Sequence, residues 1–351
     1  MLINHPKLSI HLVTHNGAAW LPYCLESLSR QLSMDFFLLI IDNASLDNSV
    51  LIVNDWLRAH AALFSRARVI QHKQNLGFAR AHNQALAWSQ SEYVMLLNQD
   101  VILADNYTLD IMKFMDTTAA AAAVTGKIRQ WDFIADTFYY ESLKDKSEAK
   151  IDTVGLKISR GRKVTEINQG QADNNKPLWP QPVFGVSGAA PLYRRACLEA
   201  VSSAGEIFDE DFVSYKEDVD MAWRLRLAGF SAYCVPSAIA YHDRGLAQAS
   251  DSSVLDLIKH RSGWPQELRI ASVANHWGVL VKNDSWYNWA RDWPWIIGFE
   301  FKKLAYLLLF EPQVLGGGLR RFFAVLPRFL RKRRLLKTTH RLKPAELRRW
   351  W

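Results

Sequence analysis

The sequence has 351 residues, 49% of them hydrophobic, and a formal net charge of +8 at pH 7. A chain of this size and composition can bury a large core, which excludes a disordered protein. Residues 311–351 contain twelve lysines and arginines against two acids, so this segment carries +10 and the first 310 residues carry −2. The positive excess therefore belongs to the C-terminal segment alone.

Three features predict a cytoplasmic protein. The three cysteines have no paired spacing, which indicates reduced, buried thiols rather than a disulfide framework or a zinc site. Residues 1–6 lack a charged start followed by an apolar run, so no signal peptide is expected. No apolar stretch is long enough to cross a bilayer.

The first hundred residues alternate short apolar runs with helical patterns. Buried strands are predicted over residues 8–13, 36–41, 69–70 and 93–97, with helices over residues 20–31, 47–63 and 77–88 between them. Strands separated by helices indicate βαβ units, and hence an α/β fold with a parallel sheet. In such a sheet the ligand site lies beyond the carboxyl ends of the strands.

Polar residues stand at these carboxyl ends. Thr14 and Asn16 follow the first strand, Asp42 follows the second, and Asn98 and Asp100 follow the fourth. The carboxylate of Asp42 could accept a hydrogen bond from a nucleobase or a ribose. Asp100 suits a magnesium or manganese ion bound to a diphosphate, and capping of the next helix is an equally good interpretation.

Two further segments complete the first two thirds of the chain. A glycine turn at residues 75–78 opens the third helix, on which Arg80 could contact a phosphate. Residues 131–182 are polar and irregular, and we expect loops and short strands there, on the substrate side. The absence of a GxxxxGK[ST] loop and of a serine-hydrolase elbow disfavours phosphate-loop ATPases and serine hydrolases.

Seven carboxylates crowd into residues 206–220 of a chain that is basic overall. They are Glu206, Asp209, Glu210, Asp211, Glu217, Asp218 and Asp220, and Lys216 is the only cation among them. Crowded carboxylates raise one another's pKa, so such a cluster persists where a metal, a cationic substrate or a protonation role compensates. The segment leads into a predicted helix closed by Gly229. A solvated acidic helix start is the alternative interpretation.

Taken together, these motifs resemble the inverting family-2 glycosyltransferases of the GT-A fold, and within them the bacterial rhamnosyltransferase-like branch. The matching segments are residues 13–16, 42–47, 75–83, 97–101, 185–190 and 208–220, within a similarity that covers residues 7–245. The resemblance implies a GT-A mixed sheet flanked by helices in residues 1–265. Residues 266–351 would form an appended helical region.

The resemblance also implies a nucleotide-sugar donor, dTDP- or UDP-linked, with dTDP-L-rhamnose as the best candidate. The residues implied in donor binding are Thr14, Asn16, Asp42, Arg80, Asn83, Asn98 and Gly188. Asp100 would bind Mg²⁺ or Mn²⁺, which neutralises charge on the departing diphosphate. Asn98 replaces the first carboxylate of the family's Asp-x-Asp motif. His242 matches a position that supplies a histidine to the metal or the diphosphate, and a satisfied loop histidine is the alternative.

On the acceptor side, Asp218 matches the family's general base, which takes a proton from the attacking hydroxyl. Glu217 would orient the acceptor or Asp218, and Asp220 would support the helix start. The neighbouring acids Asp209, Glu210 and Asp211 would shape the approach to the acceptor. A Gln-x-x-Arg-Trp motif, typical of processive members, is absent downstream, so we expect one sugar to be added per encounter.

The C-terminal region predicts attachment to a membrane. Large apolar residues recur at helical spacing among basic ones, at Leu319, Phe322, Phe323, Leu326, Phe329 and Leu330, and Pro327 should kink this helix. With the tryptophan-rich residues before it, the pattern of residues 286–351 suits an anionic surface, the inner face of a bacterial cytoplasmic membrane. A lipid-linked or cell-surface glycan acceptor is consistent with that location. A nucleic-acid-binding tail is the rival, and the apolar periodicity disfavours it.

Two other functions would use the same residues. A metal-dependent phosphohydrolase would employ Asp100 and Asp218 and release phosphate without an acceptor. A non-catalytic carbohydrate-binding protein would bind glycans without a donor. The transferase alone predicts release of nucleoside diphosphate that depends on an acceptor.

Overall fold

A computed structural model describes residues 6–32, 35–64, 66–131, 133, 149–174, 177–243 and 263–351. The strands are β1 (Leu8–Thr14), β2 (Phe36–Asp42), β3 (Arg68–Gln71), β4 (Tyr93–Asn98), β5 (Val101–Leu103), β6 (Ala121–Gln130), β7 (Ile151–Thr153), β8 (Leu156–Ile158), β9 (Val164–Glu166), β10 (Gln181–Val183), β11 (Leu192–Arg194) and β12 (Ser231–His242). The helices are α1 (Leu21–Ser29), α2 (Ser49–Ala59), α3 (Phe78–Trp88), α4 (Tyr107–Thr117), α5 (Arg195–Ala200), α6 (Glu217–Leu227), α7 (Gln266–Asn283), α8 (Trp286–Phe310) and α9 (Pro312–Leu336). Glu210–Phe212 and Pro344–Trp350 are 3₁₀ helices.

The N-terminal half of the main sheet is parallel, as predicted. Strands β3, β2, β1 and β4 lie side by side in that order. Their register pairs Thr14 with Asp42 and Val13 with Asn98, so the polar strand ends meet at one edge. The central residues of β1, β2 and β4 are buried on both faces, which explains why these strands read as continuous apolar runs.

The other half of the sheet is mixed. Strand β11 runs antiparallel between β4 and β6, and the long β12 runs parallel to β6. The short β5 pairs with the end of β12 and places Val101 opposite His242. Strand β7 adds to β6 and carries Asp152. Two segments distant in sequence thereby reach the edge where β4 ends. In the part of residues 131–182 that is described, the predicted loops and short strands are confirmed.

The C-terminal helices share apolar contacts with the sheet domain. One buried cluster joins Leu156 and Trp223 to Val279, Phe329 and Leu347. Helices α7 and α9 approach so closely that a Cβ on Gly278 would lie 2.5 Å from a ring carbon of Phe329. These helices therefore lie against the start of α6.

Helix α9 differs from the sequence-based expectation. Several of its residues expected at a membrane instead pack on protein, whereas Pro327 stands inside the helix and the predicted kink there stays a prediction. Phe329 is buried and stacks on Phe212 at 5.4 Å between ring centroids, and Lys332 is buried too. Helical periodicity identifies a buried face without specifying its partner. None of the helices within the described ranges combines the length and hydropathy needed to span a bilayer.

Candidate active site

At the parallel edge of the sheet, the first strand ends in loops fixed by side chains. The Thr14 hydroxyl donates to Gln99 Oε1 at 2.6 Å, which joins the ends of β1 and β4. Asn16, at a φ of 49°, accepts a hydrogen bond from the Leu46 amide at 2.8 Å through Oδ1. Thr14 and Asn16 therefore fix the loops at this edge of the sheet. Gln99 is a contributor that the sequence reasoning missed.

Asp42 presents an acceptor at the same edge. Its Oδ2 accepts from the Ser45 amide at 3.2 Å, whereas its buried Oδ1 has no hydrogen-bond partner within the described residues. A buried carboxylate oxygen without a hydrogen bond lowers the stability of the fold unless a bound group donates to it. Asp42 Oδ1 is thus an available hydrogen-bond acceptor at this edge.

Asp100 and His242, predicted from separate motifs, come together where β4 ends. His242 Nε2 lies 3.4 Å from Asp100 Oδ1, and His242 Nδ1 lies 2.9 Å from Asp152 Oδ2. Burial disfavours the charged imidazole, but the carboxylates of Asp100 and Asp152 more than offset this effect and raise the pKa of His242 to about 10. The two carboxylates of Asp100 and Asp152 therefore favour a positive charge between them.

This pair fits a divalent cation. Adjacent ligands of an octahedral ion lie about 3 Å apart, close to the separation of these two atoms. The buried Asp100 Oδ1 lacks a hydrogen bond within the described ranges, and Asp152 would orient His242 as a carboxylate behind a metal-bound imidazole does. The described residues gather no set of three or more potential ligands. Diphosphate oxygens and water would complete such a shell.

Helix α3 joins the donor edge to the acidic segment. Arg80 Nε pairs with Glu210 Oε2 at 2.8 Å, with the Arg80 side chain 53% exposed. Asn83 donates to the Phe208 carbonyl at 2.7 Å and accepts from the Phe208 amide at 2.8 Å. Both residues thus hold residues 208–210 in place, and Arg80 also stays open to solvent.

The 185–190 segment lies between β4 and α3. The Asn98 amide donates to the Ala189 carbonyl at 2.9 Å. A Cβ on Gly188 would have the Phe78 ring as its nearest contact, at 3.6 Å. Gly185 is sterically required, because its Cβ would lie 2.2 Å from that of Ala222 on α6. Asn98 and Gly188 therefore lie where the end of β4 approaches the start of α3.

The predicted base, Asp218, lies in the first turn of α6. The helix begins at Glu217, and its N-terminal dipole favours carboxylates there. Asp218 Oδ1 accepts from the Val219 amide at 2.7 Å. Burial, together with the charge of Asp218, raises the pKa of Glu217 to about 8. Glu217 is therefore largely protonated at neutral pH.

The acidic segment takes its counter-ions from the C-terminal helices. Lys282 on α7 contacts Asp209 at 2.5 Å and Asp220 at 2.7 Å, and Lys332 on α9 contacts Asp209, also at 2.5 Å. Asp209 is 3% exposed, so the expectation that it shapes the approach to the acceptor is wrong. Asp220 supports the helix start, as expected, through a 2.9 Å contact with Arg224.

The 185–190 segment and the turn before α6 both contact the start of α3. The Phe78 amide donates to the carbonyl of Val213, five residues before Asp218, at 2.8 Å. Phe78 also faces Gly188, next to the residue that pairs with Asn98. The start of α3 therefore contacts both the 185–190 segment and the turn that precedes α6. The mixed sheet flanked by helices has the arrangement expected of the GT-A fold.

The family model for glycosyl transferase family 2 matches residues 9–201, more than half of the chain. The chain therefore belongs to this family.

Several curated proteins align with the chain. The N-acetylglucosaminyl-diphospho-decaprenol L-rhamnosyltransferase of Mycobacterium tuberculosis is 24% identical over 73% of this chain and 86% of its own length. The poly-β-1,6-N-acetyl-D-glucosamine synthase of Staphylococcus epidermidis is 25% identical over 82% of this chain and 57% of its own length. The teichoic acid poly(glycerol phosphate) polymerase of that species is 30% identical, with 16% of its length covered. The chain thus spans only part of some of its relatives.

Two solved structures share the fold. The mannosyltransferase PcManGT from Pyrobaculum calidifontis, in complex with GDP-Man and Mn²⁺, has a TM-score of 0.53 and 18% identity, covering 93% of this chain and 76% of its own. S. aureus TarS 1–349, in complex with UDP, has a TM-score of 0.51 and 16% identity, covering 98% of this chain and 89% of its own.

Proposed function

We propose that the protein is an inverting glycosyltransferase that adds one sugar per encounter to a hydroxyl of a lipid-linked or cell-surface glycan. The best candidate donor is dTDP-L-rhamnose. The observation that carries the proposal is the 3.4 Å contact of His242 Nε2 with Asp100 Oδ1 at the end of β4, together with the hydrogen bond that joins the turn before Asp218 to the start of α3. The mycobacterial rhamnosyltransferase among the relatives supports the choice of sugar and of a lipid-linked acceptor.

In this proposal Asp218 is the general base. The acceptor oxygen forms a bond to the anomeric carbon, the bond from that carbon to the diphosphate oxygen breaks, and the hydroxyl proton passes to the Asp218 carboxylate. A single displacement of this kind inverts the anomeric centre. Glu217, whose pKa is raised by burial and by Asp218, would stay largely protonated beside the base.

The donor would lie across the parallel edge of the sheet. Asp42 Oδ1 would accept a hydrogen bond from the nucleoside, and Arg80 would face the phosphates. Thr14, Asn16, Asn83, Asn98 and Gly188 would act mainly by fixing the surrounding loops. Asp100 and His242 would hold a divalent cation, Mg²⁺ or Mn²⁺. When bound, such an ion neutralises charge that develops on the diphosphate leaving group.

The appended region, residues 266–351, would attach the catalytic unit of residues 1–265 to the inner face of the membrane. Helix α8 supports this assignment best. Trp293, Ile297, Phe301, Leu304 and Leu308 recur every three or four residues and are each at least 37% exposed. An exposed apolar stripe about 22 Å long is unusual on a soluble surface.

The stripe has the character of a helix that lies in a membrane interface. Four tryptophans stand in the first half of α8, at Trp286, Trp289, Trp293 and Trp295, and aromatic side chains of this type favour the boundary between headgroups and acyl chains. Arg291 and Lys302 are exposed beside it, and cations near the surface add attraction to anionic lipids.

A donor and acceptor screen tests the proposed activity. Purified full-length protein would be given dTDP-rhamnose or UDP-hexoses with lipid-linked or soluble glycan acceptors, with and without chelator. The proposal expects release of nucleoside diphosphate that requires both acceptor and metal. Phosphate release without an acceptor would indicate a phosphohydrolase instead. Glycan binding that needs no donor and survives Asp218→Asn would indicate a carbohydrate-binding protein.

A further inference from the structure

A strained turn precedes the helix that carries Asp218. Val213 has φ 60° and ψ −63°, and the Ser214 amide donates to the Phe212 carbonyl at 2.6 Å. This is the rare, high-energy form of the γ-turn, and a β-branched residue at positive φ is an outlier. Tyr215 and Lys216 follow with φ values of 69° and 75°. The chain therefore enters α6 through three positive-φ residues, none of them glycine.

One side chain holds this turn from the C-terminal region. Asn275 on α7 is 1% exposed, and its Nδ2 lies 2.8 Å from each of the carbonyl oxygens of Phe212, Ser214 and Tyr215. Three carbonyls can converge on one point only when a donor stands there, because their oxygens repel one another. Strained backbone of this kind persists only where its surroundings impose it.

The turn is held from the donor side as well. The Phe78 amide donates to the Val213 carbonyl at 2.8 Å, and a Cβ on Gly77 would lie 2.5 Å from the same oxygen. Two separate elements, α7 through Asn275 and the start of α3, thus contact the turn. The position of Asp218, two residues beyond Lys216, follows from both.

We propose that Asn275 is a positioning residue for the general base, an inference that rests on the proposed transferase function. Its amide donors keep residues 212–216 in their strained path, and this path sets where Asp218 meets the acceptor hydroxyl. A shift of about 1 Å at a reacting group lowers turnover by roughly 100-fold. The appended helices thereby belong to the catalytic apparatus.

The test compares kcat and KM of full-length variants in the transferase assay. Asn275→Ala removes the donors, and we expect kcat to fall by roughly 100-fold while KM for the donor changes by less than about twofold. Asn275→Ser, which keeps one hydroxyl donor, should lie between Asn275→Ala and wild type and serves if the alanine variant does not fold. The matched control is Asn288→Ala on α8. Asn288 is also 1% exposed and donates to a carbonyl, that of Pro344, at 2.8 Å.

A second substitution separates positioning from simple packing. Glycine adopts positive φ without the Cβ penalty, so Val213→Gly should relieve the strain that Asn275 restrains. In the Asn275→Ala background, we expect Val213→Gly to restore kcat by about tenfold. A purely structural role for Asn275 gives no such rescue, because the glycine adds nothing to the packing of α7.

The outcomes are distinct. Loss of kcat in Asn275→Ala, rescue by Val213→Gly and an unchanged kcat in Asn288→Ala support the inference. An unchanged kcat in a folded Asn275 variant, an equal loss in Asn288→Ala, or no rescue overturns it. Failure of wild type to release nucleoside diphosphate with any acceptor would instead overturn the proposed function, before any variant is compared.

Discussion

The Nζ atom of Lys332 lies 2.5 Å from Oδ1 of Asp209, across 123 positions of sequence, and both side chains are at most 3% exposed. Lys282 meets the other carboxylate oxygen at the same distance. Burial disfavours the charged form of Asp209, yet the two lysines hold its pKa well below the ordinary range. The acidic segment is therefore neutralised from within the protein, by the region that makes the chain basic.

Removal of Lys332 should strongly destabilise the fold. Lys332→Met leaves the buried carboxylate of Asp209 with only one of its two lysine partners. Breaking a buried ion pair in this way lowers the free energy of unfolding by about 3–5 kcal/mol. The matched control is Arg328→Ala, because Arg328 also pairs with an acid of the segment, Asp211, but has a 53% exposed side chain. We expect its loss to stay below about 1 kcal/mol. Urea unfolding measures both, and equal losses would contradict this account.

Asp218→Asn should abolish most of the turnover without affecting the donor site. The loss of a positioned base lowers kcat by about 10²- to 10⁴-fold. Calorimetric titration of the donor should show an unchanged dissociation constant, because Asp218 acts on the acceptor. Asp55→Asn, at an exposed pair with Arg58 on α2, is the control and should keep wild-type kcat. Turnover of Asp218→Asn near the wild-type value would refute its role as base.

Asp152 should act on the metal through His242. Its carboxylate lies 2.9 Å from His242 Nδ1, and the loss of such a partner typically weakens metal affinity by about 10- to 100-fold. We expect Asp152→Asn to raise the Mn²⁺ dissociation constant by that factor, measured directly by electron paramagnetic resonance. Asp100→Asn should weaken binding further. A metal affinity that is the same in Asp152→Asn and wild type would count against the assignment.

The stability of the fold should depend on pH through the ionisation of Glu217. Burial and the charge of Asp218 raise its pKa from 4.5 to about 8. Between these values the folded protein holds a proton that the unfolded chain has released, so rising pH weakens folding. The penalty is complete above about pH 8 and absent below about pH 4.5.

Glu217→Gln cannot ionise and escapes this penalty. We therefore expect its melting temperature to exceed that of wild type by a margin that widens from pH 5 to pH 8.5 and then stays constant. The measurement is a series of thermal scans at matched ionic strength. A margin that is independent of pH would show that Glu217 titrates normally.

The apolar stripe of α8 should govern binding to lipid. We expect the double variant Phe301→Glu and Leu308→Glu to lower partition into anionic liposomes by roughly tenfold or more, because both buried area and charge attraction are lost. Leu63→Glu, at a residue 52% exposed beyond α2, is the control and should partition like wild type. Truncation before α8 is a poor test, because it would also remove Lys332.

One result would redirect the interpretation of this stripe. If wild type is a dimer by light scattering, and the double variant is a monomer with unchanged liposome binding, the stripe joins two copies of the chain.

Local patterns in the sequence were enough to predict the parallel half of the sheet. Each strand and helix between residues 8 and 98 has its own periodicity, and the chain joins neighbours directly, so Thr14, Asp42 and Asn98 could be placed at one edge. The pairing of His242 with Asp100 came from the family resemblance, since no local pattern links β12 to β4. Asp100 and His242 could therefore be named as candidate metal ligands before their geometry was known.

The residues that the sequence did not reveal act over long range. Asp152 lies on a strand of three residues in an irregular region, and nothing nearby marks it as a partner of His242. Lys282, Lys332 and Asn275 belong to helices whose periodicity shows a buried face but not what it contacts. Their roles depend on tertiary packing alone.

The contact between Asp209 and Lys332 also sets an order of events during synthesis. When residues 206–220 leave the ribosome, the lysine that neutralises Asp209 from α9 has yet to be made. At about 5–20 residues per second, the 123 intervening positions take roughly 6–25 s to translate. Over that interval the carboxylates repel one another in water, and the segment that leads to Asp218 cannot reach its final packing. Helix α9 thus completes the packing of the segment that leads to Asp218.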